Sequence, residues 1–480
     1  MLRRHLVTRA TLVALALAAP GFAQAPDRSS APKPGPAPAF TPPAIQQRAL
    51  GNGLPVWIDE QHDVPVVQVN LVVRAGSGAD PQAKYGLASL TAAMLDEGAA
   101  GQDALAIADA VDFLGARLST GSSFDASFVN LHVPVARLDA ALAVMADVAL
   151  RPNFTAQELD RLREERLTGL KQLRDNPPAI ASVAFPLLVY GPSHRYGISA
   201  NGTEETLRAF TPGDLRSFHT GHYRSDNAAM VVVGDVTPAD VLPRLERAFG
   251  GWKAADPAPT VASVPTARQL EKRQVFLVDK PGAAQSVIAI GWVGVPRSTP
   301  DYAALEVMNT ILGGSFTSRL NQNLREQHGY AYGAGSAFDM RLSAGPFAAR
   351  ASVQTDKTAE SVTEFFNELT GMREPIPAEE VDKARNYVAL SYPGQFETTS
   401  GIAGQIAELI VYGLADDTLA RFVSRVMAVT PADVARVAKT YLQPERFAVV
   451  IVGDRQAVEA GIRALGLGPI TVLSVQDVVR

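Results

Sequence analysis

The chain is internally duplicated, since three short segments recur in the same order at nearly constant spacing. Two return 219 residues later and the third returns 222 residues later: Val231–Asp235 as Val450–Asp454, Thr211–Leu215 as Thr430–Val434, and Leu187–Gly191 as Leu409–Gly413. The repeats of a solenoid span a few tens of residues, so a period of this length indicates two homologous domains. Each Thr-Pro-x-Asp copy also predicts a helix start, with Thr as N-cap and Pro at the first helical position.

The two halves share a coarse layout. A strand-like run opens each half, Val66–Arg74 in the first and Val287–Val293 in the second, and an apolar strand ending in Gly-Asp closes it. Helical patterns lie between them, over Asp103–Gly115, 136–150 and 156–174 in the first half. Strands and helices do not alternate strictly. The predicted fold class is therefore α+β, with two homologous domains, each a mixed or antiparallel β-sheet covered by helices.

The composition excludes several kinds of function. The 480 residues include no cysteine, which excludes disulfide scaffolds, thiol catalysis, iron–sulfur clusters and cysteine-based zinc sites. The formal net charge is −5, whereas nucleic-acid binding usually requires a basic face, so no nucleic-acid partner is expected. No segment of the mature chain has about 18 uninterrupted apolar residues, and we expect it to contain no membrane span.

The N-terminus has the layout of a secretory signal peptide. Arg3 and Arg4 precede a mostly apolar run, Thr11–Ala19, and small residues follow at Gly21 and Ala23. This apolar run is too short to cross a bilayer as an anchor. We expect cleavage after Ala23 and a periplasmic location, by either general secretion or twin-arginine export.

The domain boundaries follow from the duplication and from two proline-bearing stretches. Seven of the eighteen residues 26–43 are proline, which is typical of an extended tether outside the fold. A polar segment with Asp-Pro-Ala-Pro joins the halves, as an interdomain linker does. The predicted organisation is a signal peptide 1–23, a Pro-rich disordered tether 24–45, a first domain 46–249, a linker 250–272, a second domain 273–467 and a C-terminal tail 468–480.

The order of these segments resembles the pitrilysin/insulinase family of zinc peptidases, which includes the mitochondrial processing peptidase. The resemblance covers about residues 46–467. Besides the duplication it rests on Gly53-Leu54 before the first strand, Gly86-Leu87-Ala88 at a helix start, and the segments Gly313–Leu320 and Leu324–Tyr332. It implies two peptidase-like domains that together form one half of a clamshell.

Active members of this family carry H-x-x-E-H on that first helix. Histidines at i and i+4 share a helical face and bind zinc, and the glutamate acts as general base. Aligned on Gly-Leu-Ala, the three positions here hold Ser89, Ala92 and Ala93, and the distal glutamate ligand falls on Thr168 or Gly169. The resemblance therefore implies a chain that binds no metal and is not an enzyme by itself.

Two other groups of residues suggest a metal site, and both have a plainer explanation. His219 and His222 form H-x-x-H, but no acidic third ligand accompanies them at helical spacing, so we interpret them as the end of a surface helix. Glu164 and Glu165 are near the lost distal ligand, but their charged surroundings are typical of a solvated helix face.

One functional element of the family remains in the second half. The resemblance implies that Arg325 and Tyr332 match the arginine and tyrosine that hold the substrate carbonyl in active relatives. Both side chains donate hydrogen bonds at neutral pH. The structural alternative pairs Arg325 with Glu326 or Asp339 at the surface and makes Tyr332 a core aromatic.

The first half lacks the zinc ligands, whereas the second half keeps Arg325 and Tyr332. With the resemblance, this predicts that the chain is the non-catalytic subunit of a heterodimeric periplasmic zinc metallopeptidase. The zinc is expected in a homologous partner subunit that carries H-x-x-E-H. An extended peptide substrate is expected to add as a strand at Leu118–Ser122 or at its counterpart in the partner. The alternative is a stand-alone or homodimeric peptide-binding or scaffolding protein with no linked proteolysis. An autonomous zinc peptidase would need ligands that this sequence lacks.

Overall fold

The computed structural model describes residues 40–254 and 264–480. The predicted signal peptide, most of the tether and part of the linker lie outside these described residues, and what the sequence predicts of them stays a prediction.

Two six-stranded sheets, one in each half, form the framework of the described chain. The first sheet has the order β1-β2-β6-β3-β5-β4, with β1 Gln46–Ala49, β2 Pro55–Glu60, β3 Val66–Val73, β4 Arg117–Ser122, β5 Ser127–Pro134 and β6 Ala228–Gly234. The second has the order β9-β10-β8-β11-β7-β12, with β7 Gln274–Asp279, β8 Gln285–Val293, β9 Ala331–Phe338, β10 Pro346–Gln354, β11 Ala448–Gly453 and β12 Ile470–Ser474. Most neighbours are antiparallel, but β2 is parallel to β6, and β7 is parallel to β11 and β12.

Helices cover these sheets. The first half contains α1 Leu87–Ala93, α2 Ala104–Phe113, α3 Leu138–Leu150, α4 Ala156–Leu173, α5 Pro177–Tyr190, α6 Glu204–Ala209, α7 Pro212–His222 and α8 Pro238–Phe249. The second half contains α9 Tyr302–Asn309, α10 Thr358–Gly371, α11 Ala378–Ser391, α12 Thr399–Tyr412, α13 Thr418–Met427, α14 Pro431–Tyr441, α15 Arg455–Ala464 and α16 Val475–Val478. The predicted α+β fold with two mixed sheets covered by helices is confirmed.

Both Thr-Pro-x-Asp elements are helix starts, as predicted. The Thr211 hydroxyl accepts a hydrogen bond from the Asp214 amide, and the Asp214 carboxylate accepts one from the Thr211 amide. The same reciprocal cap joins Thr430 and Asp433 at the start of α14. Such a box satisfies two of the amide groups that a helix start leaves unpaired, so the two copies begin their helices identically.

One helix of each half packs on the sheet of the other half. In α5 of the first half, Ile180, Ala184 and Phe185 lie in a buried cluster with residues of β8 and β11 of the second sheet. In α12 of the second half, Ile402 and Ile406 pack on β3 and β6 of the first sheet. This exchange buries apolar surface of both domains and joins them into one body.

The two ends of the described chain are also integrated into this body. The segment 468–480, which the sequence analysis assigned to a tail, forms β12 beside β7 and buries Val475, Val478 and Val479 against α5. At the other end, Phe40 packs on the ring of Tyr392 with centroids 5.3 Å apart. Burial of apolar side chains stabilises the packing of both segments.

Candidate functional site

The helix that carries the zinc ligands in active relatives is intact here as a structural element. The N-cap of this helix, α1, is Gly86, whose φ of 94° lies in the left-handed region. A Cβ on Gly86 would lie 2.6 Å from the Gly202 Cα. The Asp80 carboxylate accepts hydrogen bonds from the Gly86 and Ala88 amides, at 2.7 and 2.8 Å. Burial raises the pKa of Asp80 to about 7, although these amide donors lower it.

The side chains on this helix do not fit a metal. Ser89, Ala92 and Ala93 share one face, and the Ser89 hydroxyl donates a 3.0 Å hydrogen bond to Asn201 Oδ1. A hydroxyl and two methyl groups cannot replace two imidazoles and a general base. No group of three or more His, Asp or Glu side chains that could hold a metal ion occurs within residues 40–254 and 264–480.

Arg166 on α4 reaches the same helix, and the sequence analysis did not identify it. Its Nη2 donates a 3.0 Å hydrogen bond to the Ser89 backbone carbonyl, and burial lowers the pKa of Arg166 to about 10. Gly169 is three residues further on and shares the helix face of Arg166, whereas Thr168 points elsewhere. We therefore expect Gly169, of the two predicted positions, to be the one that corresponds to the distal ligand. The one feature of the sequence that could have indicated Arg166 as a site residue is its position three residues before Gly169.

The other candidate metal residues have ordinary environments. The Nε2–H of His219 donates a 2.9 Å hydrogen bond to the Ala149 carbonyl, and burial lowers the pKa of His219. The His222 ring packs on Phe218 with centroids 4.4 Å apart. Glu164 and Glu165 are exposed on α4. Protein groups therefore account for the positions of both rings.

Arg325 and Tyr332 lie together on the surface of the second half. Arg325 is in a π-helical turn, Gln322–Gln327, and Tyr332 is in the edge strand β9, beside a bulge between Ala331 and Ala334. The Arg325 Cζ lies 5.3 Å from the centroid of the Tyr332 ring. The Tyr332 side chain is 89% exposed, so it is not a core aromatic.

A third residue completes this group, which we call the Arg325 cluster: Phe316, Arg325 and Tyr332. The Arg325 Cζ lies 4.5 Å from the centroid of Phe316, whose side chain is 64% exposed. Two exposed rings thus flank one guanidinium, an arrangement that favours cation–π contact. Phe316 lies in the segment Gly313–Leu320 that carries part of the resemblance, but its role was not predicted.

Of the two surface ion pairs considered for Arg325, with Glu326 or with Asp339, the structure contains the first. Arg325 Nε lies 3.3 Å from Glu326 Oε1, and both side chains are partly exposed. Asp339 instead pairs with Arg341 through Nε at 3.1 Å. An exposed pair of this kind contributes little stability, so it leaves the guanidinium available to a ligand.

The strand Leu118–Ser122 lies at a free edge. It forms most of β4, the outermost strand of the first sheet, whose inner neighbour is β5. The backbone amides and carbonyls on the outer side of β4 have no neighbouring strand in the described structure, which is the condition for strand addition by a peptide.

Each of the two similar halves packs one helix on the sheet of the other half. The helix α1 keeps its N-terminal hydrogen bonds but carries no metal-ligating side chain. These features define a peptidase-like chain. The Insulinase (Peptidase family M16) model matches residues 56–186, and the Peptidase M16 inactive domain model matches residues 209–388. The chain belongs to peptidase family M16, the pitrilysin/insulinase family.

Relatives with similar sequences are named as zinc proteases. The chain is 24% identical over 345 residues to an uncharacterized zinc protease of Rickettsia bellii, covering 71% of this chain and 81% of that protein. It is 24% identical over 422 residues to one of Streptomyces coelicolor, covering 86% and 91%.

Solved structures share the fold. A peptidase M16 inactive domain from Pseudomonas fluorescens has a TM-score of 0.80 and 26% identity, covering 86% of this chain and 98% of that one. A protease from Helicobacter pylori also has a TM-score of 0.80, at 21% identity, covering 85% and 99%.

None of the helices in the described part of the chain is long and apolar enough to cross a membrane.

Proposed function

We propose that this chain is the non-catalytic subunit of a heterodimeric M16 peptidase of the periplasm. Its partner would carry H-x-x-E-H and the zinc, and this chain would supply Arg325 and Tyr332 to hold the peptide substrate. The observation that carries the proposal is the exposed Arg325 cluster in a chain whose first half holds Ser89, Ala92 and Ala93 at the metal positions.

The chemistry of the Arg325 cluster suits substrate positioning. The guanidinium and the phenol hydroxyl are both donors, so both can hydrogen-bond one carbonyl oxygen. As the carbonyl becomes an oxyanion these bonds strengthen, and donors already in place need no reorganisation. Phe316 and Tyr332 flank the guanidinium, which restricts the orientations it can take.

The free edge of β4 supports a role in binding extended peptide. A strand added there would hydrogen-bond through its backbone and therefore with little dependence on its sequence. The proposed periplasmic location rests on the signal-peptide pattern of residues 3–23 alone.

The first test is co-purification from the native host. The affinity tag belongs after Arg480, because the N-terminus is expected to be removed with the signal peptide. Recovery of a stoichiometric M16 protein bearing H-x-x-E-H and zinc would support the proposal. Recovery of this chain alone, or as a homodimer without zinc, would contradict it and favour a peptide-binding or scaffolding protein.

A further inference from the structure

The second half contains a polar cavity at the place that corresponds, by the internal duplication, to Ser89, Ala92 and Ala93 of the first half. Tyr302 corresponds to Tyr85 and Ile311-Leu312 to Met94-Leu95, all at an offset of 217. The same offset places Glu306, Asn309 and Thr310 at the positions of Ser89, Ala92 and Ala93. The helices α4 and α11 start 222 residues apart, which pairs Gly169 with Ser391. Glu306, Asn309, Thr310 and Ser391 all line one cavity of about 200 Å³.

The carboxylate of Glu306 has no partner among the described residues that line this cavity. The surrounding protein shields most of it from solvent but leaves part of the residue accessible, and no side chain or amide of residues 40–254 and 264–480 hydrogen-bonds to it or forms an ion pair with it. Burial raises the pKa of Glu306, the nearby Glu408 also raises it, and Arg297 lowers it. A buried carboxylate without a partner is costly, so a ligand that compensates its charge would bind favourably.

The charge of the cavity points to a cation. Among the described residues, Arg297 supplies the one guanidinium that lines the cavity. It is already paired with Glu408, with 2.5 Å between Nε and Oε1. Arg297 also stacks on Tyr302, with its Cζ 3.5 Å from the ring centroid. With Arg297 and Glu408 neutralising each other, an ionised Glu306 leaves the cavity with a net charge of −1.

The walls of the cavity point to an organic cation. Tyr302, Tyr392 and Phe422 line it beside Glu306, and aromatic rings attract ammonium groups through their π faces. A metal ion usually takes several charged or imidazole ligands, and no three His, Asp or Glu side chains of the described residues come together here to supply them.

We propose that this cavity binds a small primary ammonium group through the carboxylate of Glu306 and the surrounding rings. The group can belong to a free amine or to a lysine side chain. This inference does not depend on the Arg325 cluster or on a partner subunit.

The probe is n-butylammonium, which reproduces the end of a lysine side chain, and the neutral control is butan-1-ol. Ligand-observed NMR with saturation transfer is measured on the folded full-length protein. We expect saturable n-butylammonium binding with a Kd of about 1 mM, as is usual for so few heavy atoms, and no saturable butan-1-ol binding. Equal signals from the two probes would overturn the proposal.

The key variant is Glu306→Gln, with Glu379→Gln as its matched control on the exposed start of α11. We expect n-butylammonium to bind Glu306→Gln at least about 10-fold more weakly than it binds the wild type. It should bind Glu379→Gln with the wild-type affinity. Unchanged binding to Glu306→Gln would contradict the site.

Since no residue in the described part of the chain is a partner of Glu306, Glu306→Gln and Glu306→Leu are both expected to fold with an unchanged or higher Tm. A Tm loss of more than about 5 °C in both would show that Glu306 is a structural group instead and would overturn the proposal.

Discussion

Arg166 and Ser89 are joined by a hydrogen bond of 3.0 Å from a guanidinium nitrogen to a backbone carbonyl. This contact connects α4 and α1, the two helices that would carry all the metal ligands of an active relative. A cation of the protein itself thus lies beside the position that has lost its first metal ligand. The chain keeps both helices, and one of its own side chains connects them.

Restoring the zinc site should therefore require the removal of Arg166. We expect Ser89→His/Ala92→Glu/Ala93→His/Gly169→Glu to bind zinc weakly, because the guanidinium repels a divalent cation. Adding Arg166→Leu should raise the zinc affinity at least about 10-fold, measured by isothermal titration calorimetry and metal analysis. A Cβ at Gly169 would lie more than 4 Å from every atom counted against it in residues 40–254 and 264–480, so a glutamate has room there.

The control for that experiment uses Thr168→Glu in place of Gly169→Glu. Thr168 points away from the face that carries Arg166, so this version should not bind zinc tightly. Equal zinc binding by the two versions would contradict the assignment of Gly169 as the distal position.

Asp80 should make the protein less stable as the pH rises. Its pKa is raised from 3.8 to about 7 by burial, so the folded state binds the extra proton between these values. The free energy of unfolding should therefore fall between pH 4 and pH 7, by at most about 1.4 kcal/mol per pH unit from this group. Urea denaturation at several pH values measures this slope.

In Asp80→Asn the slope should be reduced, whatever the change in absolute stability. Asp63→Asn is the matched control, since Asp63 is exposed and its substitution should leave the slope as in wild type. A slope identical in Asp80→Asn and wild type would show that Asp80 does not titrate in this range.

Tyr196 should be important for the junction of the two halves. Its hydroxyl donates to Asp125 Oδ1 at 3.0 Å and accepts from the Ser343 amide at 3.2 Å. We expect Tyr196→Phe to lower the free energy of unfolding by about 1–3 kcal/mol, because two partly buried polar partners lose their bond. Tyr332→Phe is the exposed control and should change it by less than about 0.5 kcal/mol. Similar values for both variants would contradict the role of Tyr196.

Deletion of residues 468–480 should destabilise the whole protein. The deletion removes β12 and exposes the sheet edge at β7, and it removes three buried valines, Val475, Val478 and Val479. Each buried valine contributes about 1.5–3 kcal/mol, so a Tm loss above about 10 °C or insolubility is expected. Gln476→Ala, an exposed change in the same segment, should retain the wild-type Tm. A deleted protein that melts like wild type would show that this segment is a dispensable tail.

Local signals in the sequence predicted much of the fold. Each of the capping boxes at Thr211 and Thr430 is formed by residues within a segment of four. The strand Val66–Val73 differs from its predicted range by one residue. Such features depend on neighbouring residues, so periodicity and capping rules find them.

Long-range contacts were not predictable in the same way. The packing of α5 and α12 on the opposite sheets and the pairing of β12 with β7 join segments far apart in sequence. Hydrophobic patterns give the buried face of an element but not the element that covers it. The contact of Arg166 with Ser89 was missed for the same reason. A charged residue in a charged helix gives no sign in the sequence of which distant segment it contacts.

The measurement that tests the central claim most directly is peptide cleavage by the purified complex of this chain with its zinc-bearing partner. The account predicts that Arg325→Leu/Tyr332→Phe lowers kcat/KM by about 100-fold or more, with assembly and zinc content unchanged. The control Arg421→Leu/Phe113→Leu changes an exposed arginine and an exposed aromatic elsewhere and should cleave at the wild-type rate. Wild-type cleavage by the Arg325→Leu/Tyr332→Phe complex would contradict the account.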